Sequence, residues 1–186
     1  MAETISKKGE SFLDLLKFII LLVIIIVPFR MYIAQPFIVN GASMEPTFKQ
    51  GDYLIVDELS YLLREPERGE VIIFRNPEDS SQYFIKRVIG LPDEKILVNG
   101  KSVTITQIDG EEFVLEQPFV ENASNRSAEI ILGSEEYFVM GDNRAVSYDS
   151  RMWGPLKLDL IKGRAFARLF PPKKIGLLPG NFQYAI

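Results

Sequence analysis

The first part of the chain carries one unbroken block of apolar residues. Residues 18–29 include no charged or polar side chain, and the block widens to residues 15–34 with only Lys17 and Arg30 charged, both near its ends. About 20 helical residues are needed to cross the hydrocarbon core of a bilayer. Long basic side chains near the ends of such a span can reach the interface. The pattern predicts a transmembrane helix, with residues 1–34 forming a cytoplasmic amino terminus and an anchor.

Two alternatives stay open for this block, namely a buried core helix and a cleaved signal peptide. A signal peptide ends at a small-x-small pair close behind its apolar run. Here the next small residues, 41–43, begin twelve positions after Phe29. Lysines 7, 8 and 17 lie on the amino-terminal side of the block and Arg30 on the other, which modestly favours an amino terminus inside the cell. The interpretation is an uncleaved single-pass anchor with the rest of the chain outside.

Behind the anchor, the pattern changes to short β-branched and aromatic runs bounded by Gly, Pro, Asn or Asp, which are typical of strands. These runs are residues 52–59, 70–75, 83–90, 136–141 and 163–170. Residues 95–105 place apolar runs on both sides of Asn99-Gly100, a dipeptide that favours a type I′ hairpin turn. No long amphipathic helix follows the anchor.

This order predicts a mainly β fold, in which an antiparallel β-sheet domain over residues 35–186 is preceded by the helix. A sandwich or a barrel-like arrangement fits strands at this spacing. Within that domain, the polar and less regular residues 100–133 are expected to form a small excursion. The apolar tail, residues 177–186, is expected to pack on the sheet or to touch the bilayer.

Composition narrows the chemistry more than the fold. The 186 residues include no Cys and no His, which excludes disulfides, thiolate nucleophiles, a Ser-His-Asp triad and imidazole metal ligands. A hydrolase without a cofactor would need a carboxylate, a Lys, a Tyr or an amino terminus as its base. The net charge of −4 argues against nucleic acid as a partner.

Lys86 lies inside the most apolar predicted strand. Because side chains alternate along a strand, Lys86 shares one face with Phe84 and Val88, while Arg87 points to the other. Desolvation disfavours the charged amine, so a buried lysine can be neutral near pH 7 and serve as a base. The alternative is an edge strand on which both cations reach solvent or pair with carboxylates.

Two loops add candidate groups. Ser43 lies in a loop between small residues and a proline, where a serine is usually solvated or caps a turn. Residues 141–154 are dense in Asp, Asn, Arg and Ser directly after a predicted strand. A solvated polar loop is one interpretation. However, Asp-x-Arg spacing allows carboxylate–guanidinium bridges that would stiffen the loop enough to hold a hydroxyl and an amine.

Four stretches in order give the chain a close resemblance to the type I signal peptidases (leader peptidases) of bacteria, which are membrane-bound serine proteases. They are SMEPT at 43–47, the strand at 52–59, residues 68–77 with 83–94, and residues 141–154. The resemblance covers roughly residues 35–99 and 136–170. It implies that Ser43 is the nucleophile and Lys86 its general base. The implied reaction is hydrolysis of the peptide bond through an acyl-enzyme.

The same resemblance implies roles for further residues. Ser147 would hydrogen-bond the lysine amine. Asp149 with Arg151 and Arg87 would support the site, with Asp149 as the carboxylate partner of Arg151 or Arg87. Some family members carry a serine two positions before the nucleophile that helps to form the oxyanion hole. This chain has Gly41 there, so its hole would depend mainly on the backbone N–H of Ser43. The side chains expected to line shallow apolar pockets for the substrate are Phe37, Val39, Met44, Phe84 and Ile85.

The implied substrates are preproteins held at the membrane by their signal peptides and cut after a small-x-small pattern. No metal or organic cofactor is implied. We expect a monomer in the cell membrane, or in a thylakoid membrane, with the catalytic domain on the extracytoplasmic side. Two alternatives remain: a self-cleaving Ser-Lys regulator, which predicts a DNA-binding helix pair that the sequence lacks, and a catalytically dead, membrane-tethered binding domain.

Overall fold

The computed structural model describes the backbone of residues 3–28 and 35–184 and the side chains of residues 12–24 and 35–184. Its first element is helix α1, Glu3–Pro28. Its large apolar side chains from Phe12 to Ile24 are exposed, which contradicts the buried core helix for that stretch. The last part of the predicted anchor, residues 29–34, lies outside the described residues. Within the described part of the chain, no helix has the length and apolar character needed to cross a membrane.

The rest of the described chain is mainly antiparallel β-sheet, as predicted. The main sheet has the order β1-β2-β11-β3-β4-β9-β10, with β12 added to β11. Its strands are β1 Gln35–Ile38, β2 Tyr53–Asp57, β3 Val71–Arg75, β4 Tyr83–Gly90, β9 Glu136–Met140, β10 Leu156–Lys157, β11 Ile161–Phe170 and β12 Gly176–Leu177. Beyond α1, the described α-helices are single turns, α2 Ser60–Leu63 and α3 Ser150–Trp153.

The centre of the main sheet is covered on both faces, which explains its continuous apolar runs. In β3, Val71 and Ile73 pack in one core cluster with Met44 and Phe48. The alternate residues of the same strand, Ile72 and Phe74, pack in another. Strand β4 lies between β3 and β9, so Lys86 is on an interior strand, and the edge-strand alternative is wrong.

Residues 95–131 form a separate four-stranded antiparallel sheet of order β7-β6-β5-β8. Its strands are β5 Lys95–Asn99, β6 Ser102–Thr106, β7 Glu112–Val114 and β8 Ser127–Ile131. In β5 and β6, alternate side chains are buried in a core shared with Ile89 and Phe138 of the main sheet. The excursion therefore begins before residue 100 and is a packed second sheet.

The predicted hairpin forms, but its turn is shifted by one residue. Asn99 pairs with Ser102, so the two central residues are Gly100 and Lys101. Gly100 has φ +61°, whereas Lys101 does not have a positive φ. A glycine with positive φ at the first central position is the requirement of a type II′ turn rather than of type I′. In the described part of the apolar tail, Phe182 packs edge-on against Phe119 and Tyr184 packs against the core of the second sheet. Residues 185–186 lie outside the described residues.

Candidate active site

Ser43 is held in a tight turn between β1 and β2. The residues that follow it, Met44 and Phe48, are buried in the core, and the Phe48 N–H donates to the Met44 carbonyl. From the loop after β9, the Asn143 N–H donates to the Ser43 carbonyl at 3.1 Å. The Asn143 side-chain amide donates to the Ala42 carbonyl at 3.1 Å. The turn is thus held in place by the apolar packing of Met44 and Phe48 and by the two hydrogen bonds from Asn143.

Lys86 meets Ser43 although 43 residues separate them in sequence. Its Nζ lies 2.8 Å from Ser43 Oγ and also donates to the Ile85 carbonyl at 3.0 Å. The residue is 3% exposed, and the ring of Phe84 is centred 5.3 Å from Nζ. Burial lowers the pKa of Lys86 to about 8 by desolvation, against the opposing pull of the Asp149 and Asp142 carboxylates.

The loop of residues 141–154 is stiffened by an Asp-x-Arg bridge. Arg151 Nε and Nη2 donate to the two carboxylate oxygens of Asp149, each at 2.8 Å, and both side chains are fully buried. Asp149 also caps helix α3 and accepts the Gly141 N–H at 3.0 Å. A bidentate pair with additional backbone bonds fixes both the loop and the strand end that precedes it.

Ser147 lies in this loop but makes a different contact from the expected one. Its Oγ accepts the Gly141 N–H at 3.2 Å. Among the hydrogen bonds of residues 35–184, none joins Ser147 to the Lys86 amine, whose acceptors are Ser43 Oγ and the Ile85 carbonyl. Ser147 is 6% exposed. The position of Ser147 is therefore set by the Gly141 N–H and by the Asn143 carbonyl, which accepts the Ser147 N–H at 3.0 Å.

Arg87 corrects a second expectation, because its carboxylate partner is Asp142 and not Asp149. Arg87 Nε and Nη2 donate to Asp142 at 2.8 and 2.7 Å, with both side chains buried. The Thr47 hydroxyl donates to the same carboxylate at 2.5 Å. The side chains of adjacent strand residues point to opposite faces, so Arg87 joins a separate network while Lys86 meets Ser43.

Sequence reasoning assigned no role to Thr47, Gly141, Asp142, Asn143 or Arg144. Each lies in a stretch that was singled out, but its partner comes from a distant part of the chain or from the local backbone. The Arg144 Nε, for example, donates to the Gly141 carbonyl at 2.9 Å. A Cβ added to Gly141 would overlap with the Ser43 carbonyl oxygen and Ser147 Oγ. The glycine before Asp142 was a usable signal, because close backbone approach is a common reason for glycine.

A cleft of about 510 Å³ opens beside the Ser43–Lys86 pair. Four of the five expected pocket residues line it: Phe37, Val39, Phe84 and Ile85. The fifth, Met44, is wrong as a lining residue, because it is 1% exposed and packs in the core under the turn. Gly41 also lines the cleft, with φ +89° and open space where a Cβ would be. Sequence reasoning missed the other lining residues, among them Tyr83, Val146 and Tyr148.

Comparison with known proteins identifies the family of this chain. Residues 12–170 match the family described as signal peptidase, peptidase S26. The chain is 36% identical to a probable signal peptidase I-2 of Synechocystis sp., with 96% of this chain and 84% of that protein covered. It is 34% identical to a signal peptidase I of Leptolyngbya laminosa, over 92% of this chain and 86% of that protein.

Two further similarities were found. Thylakoidal processing peptidase 1, chloroplastic, of Arabidopsis thaliana is 33% identical over 79% of this chain and 45% of that protein. A crystal structure of a signal peptidase I from Enterococcus faecalis has a TM-score of 0.45 and 26% identity, covering 54% of this chain and 97% of that one. The family match and the relatives above 30% identity extend over most of the sequence, so the chain belongs to the signal peptidases of family S26 and is a serine peptidase, a hydrolase.

Proposed function

We propose that this protein removes signal peptides from exported preproteins, with Ser43 as the nucleophile and Lys86 as the general base. The observation that carries this proposal is the 2.8 Å separation of Lys86 Nζ and Ser43 Oγ, with the lysine buried and its pKa lowered to about 8. At that pKa a useful fraction of the amine is neutral at physiological pH. A neutral amine has a lone pair that can accept the hydroxyl proton.

The reaction proceeds in two halves. Lys86 takes the proton of Ser43 as Oγ attacks the scissile carbonyl, and the resulting ammonium donates that proton to the departing amine of the mature protein. The signal peptide is then an ester on Ser43. In the second half Lys86 removes a proton from water, the hydroxide attacks the ester, and Ser43 Oγ regains its proton from Lys86.

The oxyanion of each tetrahedral intermediate needs donors that are already in place. Among the hydrogen bonds of residues 35–184, none uses the Ser43 N–H, so this donor is free for the oxyanion. Asn143 holds the carbonyl groups of Ala42 and Ser43 and thereby fixes the direction of the N–H group. Gly41, with no side chain, leaves the approach open.

The apolar cleft supports a preference for small side chains at the first and third positions before the cut. Phe37, Phe84 and Ile85 line it together with Ser43 and Lys86, and apolar walls beside the reacting groups would reject large side chains by overlap. The predicted anchor, residues 15–34, would hold the enzyme as a monomer in the same bilayer as its substrate. The exposed apolar side chains of α1 from Phe12 to Ile24 support this part of the proposal.

The direct test is cleavage of a labelled preprotein by the purified full chain in lipid vesicles, followed on a gel, with the new amino terminus identified. The wild type should release the mature protein, and Ser43→Ala and Lys86→Ala should release none. Matched controls are Ser134→Ala and Lys101→Ala, which alter exposed residues outside the cleft. No cleavage by a folded wild-type protein would favour the catalytically dead binding domain.

The size preference has its own test, in which the preprotein is changed. Phe in place of Ala at the first or third position before the bond should prevent cleavage, and equal cleavage would refute the size preference.

A further inference from the structure

One aromatic side chain of the second sheet reaches back to the network beside the active site. Phe119 lies in the loop between β7 and β8, and its ring is centred 3.8 Å from the Arg87 guanidinium carbon. Arg87 is 1% exposed and follows Lys86 directly in β4. Residues 95–131 contribute none of the side chains that line the 510 Å³ cleft. The stacking of Phe119 is therefore a direct contact between the second sheet and the residue next to the proposed base.

All three nitrogen atoms of the Arg87 guanidinium donate hydrogen bonds within the plane of the group. Nε and Nη2 bind the Asp142 carboxylate. Nη1 donates to the Gly69 carbonyl at 2.8 Å and to the Gly180 carbonyl. Hydrogen bonds in the plane resist sliding of the guanidinium but do not cover its flat face. An aromatic ring packed on that face excludes water and attracts the cation through its quadrupole.

Phe119 is itself held by the carboxyl-terminal tail. The ring of Phe182 is centred 5.6 Å from that of Phe119 in an edge-on arrangement. The Phe182 N–H donates to the Gly69 carbonyl at 3.3 Å, and that carbonyl also accepts from Arg87. Phe119 and the carboxyl-terminal tail therefore cover the Arg87 side chain together.

Two consecutive residues, Asp142 and Asn143, connect Arg87 to the turn that carries Ser43. Asp142 binds Arg87 and also accepts from Thr47, four residues after Ser43. Asn143, next to Asp142, donates to the Ser43 carbonyl. Strand β4 carries the proposed base at Lys86, and the loop that binds Arg87 carries the contacts to the nucleophile turn.

From this chain of contacts we infer that Phe119 is a positioning residue, which fixes Arg87 and Asp142 and so sets the distance between Ser43 and Lys86. The inference rests on the proposed roles of those two residues. It gives the second sheet a task in the reaction beyond its own packing. A loss of this kind lowers turnover rather than substrate binding, because Phe119 does not line the cleft.

The test compares Phe119→Ala with Phe113→Ala in the full chain. Phe113, in β7 of the same sheet, also lies over an arginine, with its ring 5.5 Å from Arg68. Arg68 pairs with Glu94 and the Ile89 carbonyl, away from Ser43 and Lys86. Both variants lose an aromatic ring beside a buried guanidinium, so their melting temperatures should fall similarly. The kcat for a signal-peptide substrate should fall about tenfold or more in Phe119→Ala, because a misplacement of about 1 Å between reacting groups can lower a rate by about 10²-fold. KM should stay within about twofold of the wild-type value, because uniform substrate binding is untouched.

Two further variants keep the outcome decisive. Phe119→Trp retains an aromatic face and should keep kcat close to wild type, whereas Phe119→Leu fills the space without one and should show the loss even if the alanine variant does not fold. Equal kcat in wild type and Phe119→Leu, or an equal loss of kcat in Phe113→Ala, would overturn the inference. Ser43→Ala is assayed alongside. Activity in that variant would refute the proposed nucleophile, whereas an inactive Ser43→Ala with fully active Phe119 variants would refute only the positioning role.

Discussion

Burial of the Lys86 amine affects both catalysis and stability. A solvated lysine is almost wholly protonated at pH 7, whereas desolvation lowers the pKa of Lys86 to about 8 in the folded protein. The charged form is thus less stable folded than unfolded. Each pKa unit corresponds to about 1.4 kcal/mol, so at pH 7 the folded state loses a few kcal/mol in exchange for a usable base.

The rate at low substrate concentration should rise with pH along a single limb centred near 8, because only the neutral amine of Lys86 accepts the Ser43 proton. Lys86→Arg should be inactive at every pH, because a guanidinium stays protonated. Initial rates measured against pH test both statements, with circular dichroism confirming that the variant is folded. Substantial activity in Lys86→Arg would end the lysine mechanism and make a carboxylate such as Asp149 the candidate base.

Lys86→Met should raise the melting temperature at pH 7 while abolishing activity, because it fills the same space without a charge to desolvate. The folded pKa, about 8, lies below the ordinary value of 10.5. Between these two values the unfolded wild type binds more protons, so the stability of the wild type rises with pH there. The advantage of the variant should accordingly be full below pH 8 and shrink towards pH 10.5. An advantage that does not change with pH would contradict this account.

Asp142 is a residue whose loss should affect folding as well as rate. Asp142→Ala leaves the buried Arg87 without its carboxylate, and removal of one partner of a buried ion pair typically costs about 3–5 kcal/mol. Chemical denaturation measures the loss. A matched surface pair is Lys95 with Glu129, both well exposed, where Glu129→Ala should change stability far less than Asp142→Ala does, because solvent screens an exposed pair. Similar losses in the two variants would mean that the Arg87–Asp142 pair contributes no more than a surface bridge.

At the level of elements, the meeting of strand β9 with the nucleophile turn depends on the absence of a side chain. The Gly141 Cα faces the Ser43 carbonyl, and its N–H binds both Asp149 and Ser147. The loop after β9 can therefore approach the turn only while this residue lacks a Cβ.

Gly141→Ala should reduce kcat by about 10²-fold or more, since it forces apart the turn that carries Ser43 and the loop that fixes it, and misplacement of about 1 Å can have that effect. The control is Gly176→Ala, where a Cβ meets open space and φ is not positive. Steady-state kinetics with melting curves for both variants check the prediction. Retention of kcat in Gly141→Ala would mean that the backbone contact is not needed for the geometry of the Ser43–Lys86 pair.

For the whole molecule, the anchor should affect efficiency rather than chemistry. A variant lacking residues 1–34 retains the described strands and the cleft, so it should cleave a soluble peptide with Ala at the first and third positions. It should be much poorer on a preprotein embedded in vesicles, because a shared membrane raises the effective concentration of enzyme and substrate. Processing in vesicles that is unchanged by the deletion would show that the amino-terminal segment serves targeting alone.

Several features of the fold could be predicted because their causes are local. Strand β4 has the predicted bounds, and β3, β9 and β11 differ from theirs by one or two residues, since β-branched runs flanked by turn residues give a strong signal. Strands β7 and β8 were missed because they are short and polar on one side. Their partners β6 and β5, rather than their own side chains, determine them.

The sequence by itself determined the chemical types available here. The absence of Cys and His left a carboxylate, a Lys, a Tyr or an amino terminus as the possible base. The resemblance of four motifs in order to the type I signal peptidases then implied the pair Ser43 and Lys86. Only the tertiary structure decided which groups meet. Arg87 pairs with Asp142 and not with Asp149, Ser147 bonds to Gly141 and not to the amine, and Met44 is core and not cleft wall. The physical reason is that hydrogen bonds and desolvation depend on ångström distances between distant segments, which residue type and spacing do not specify.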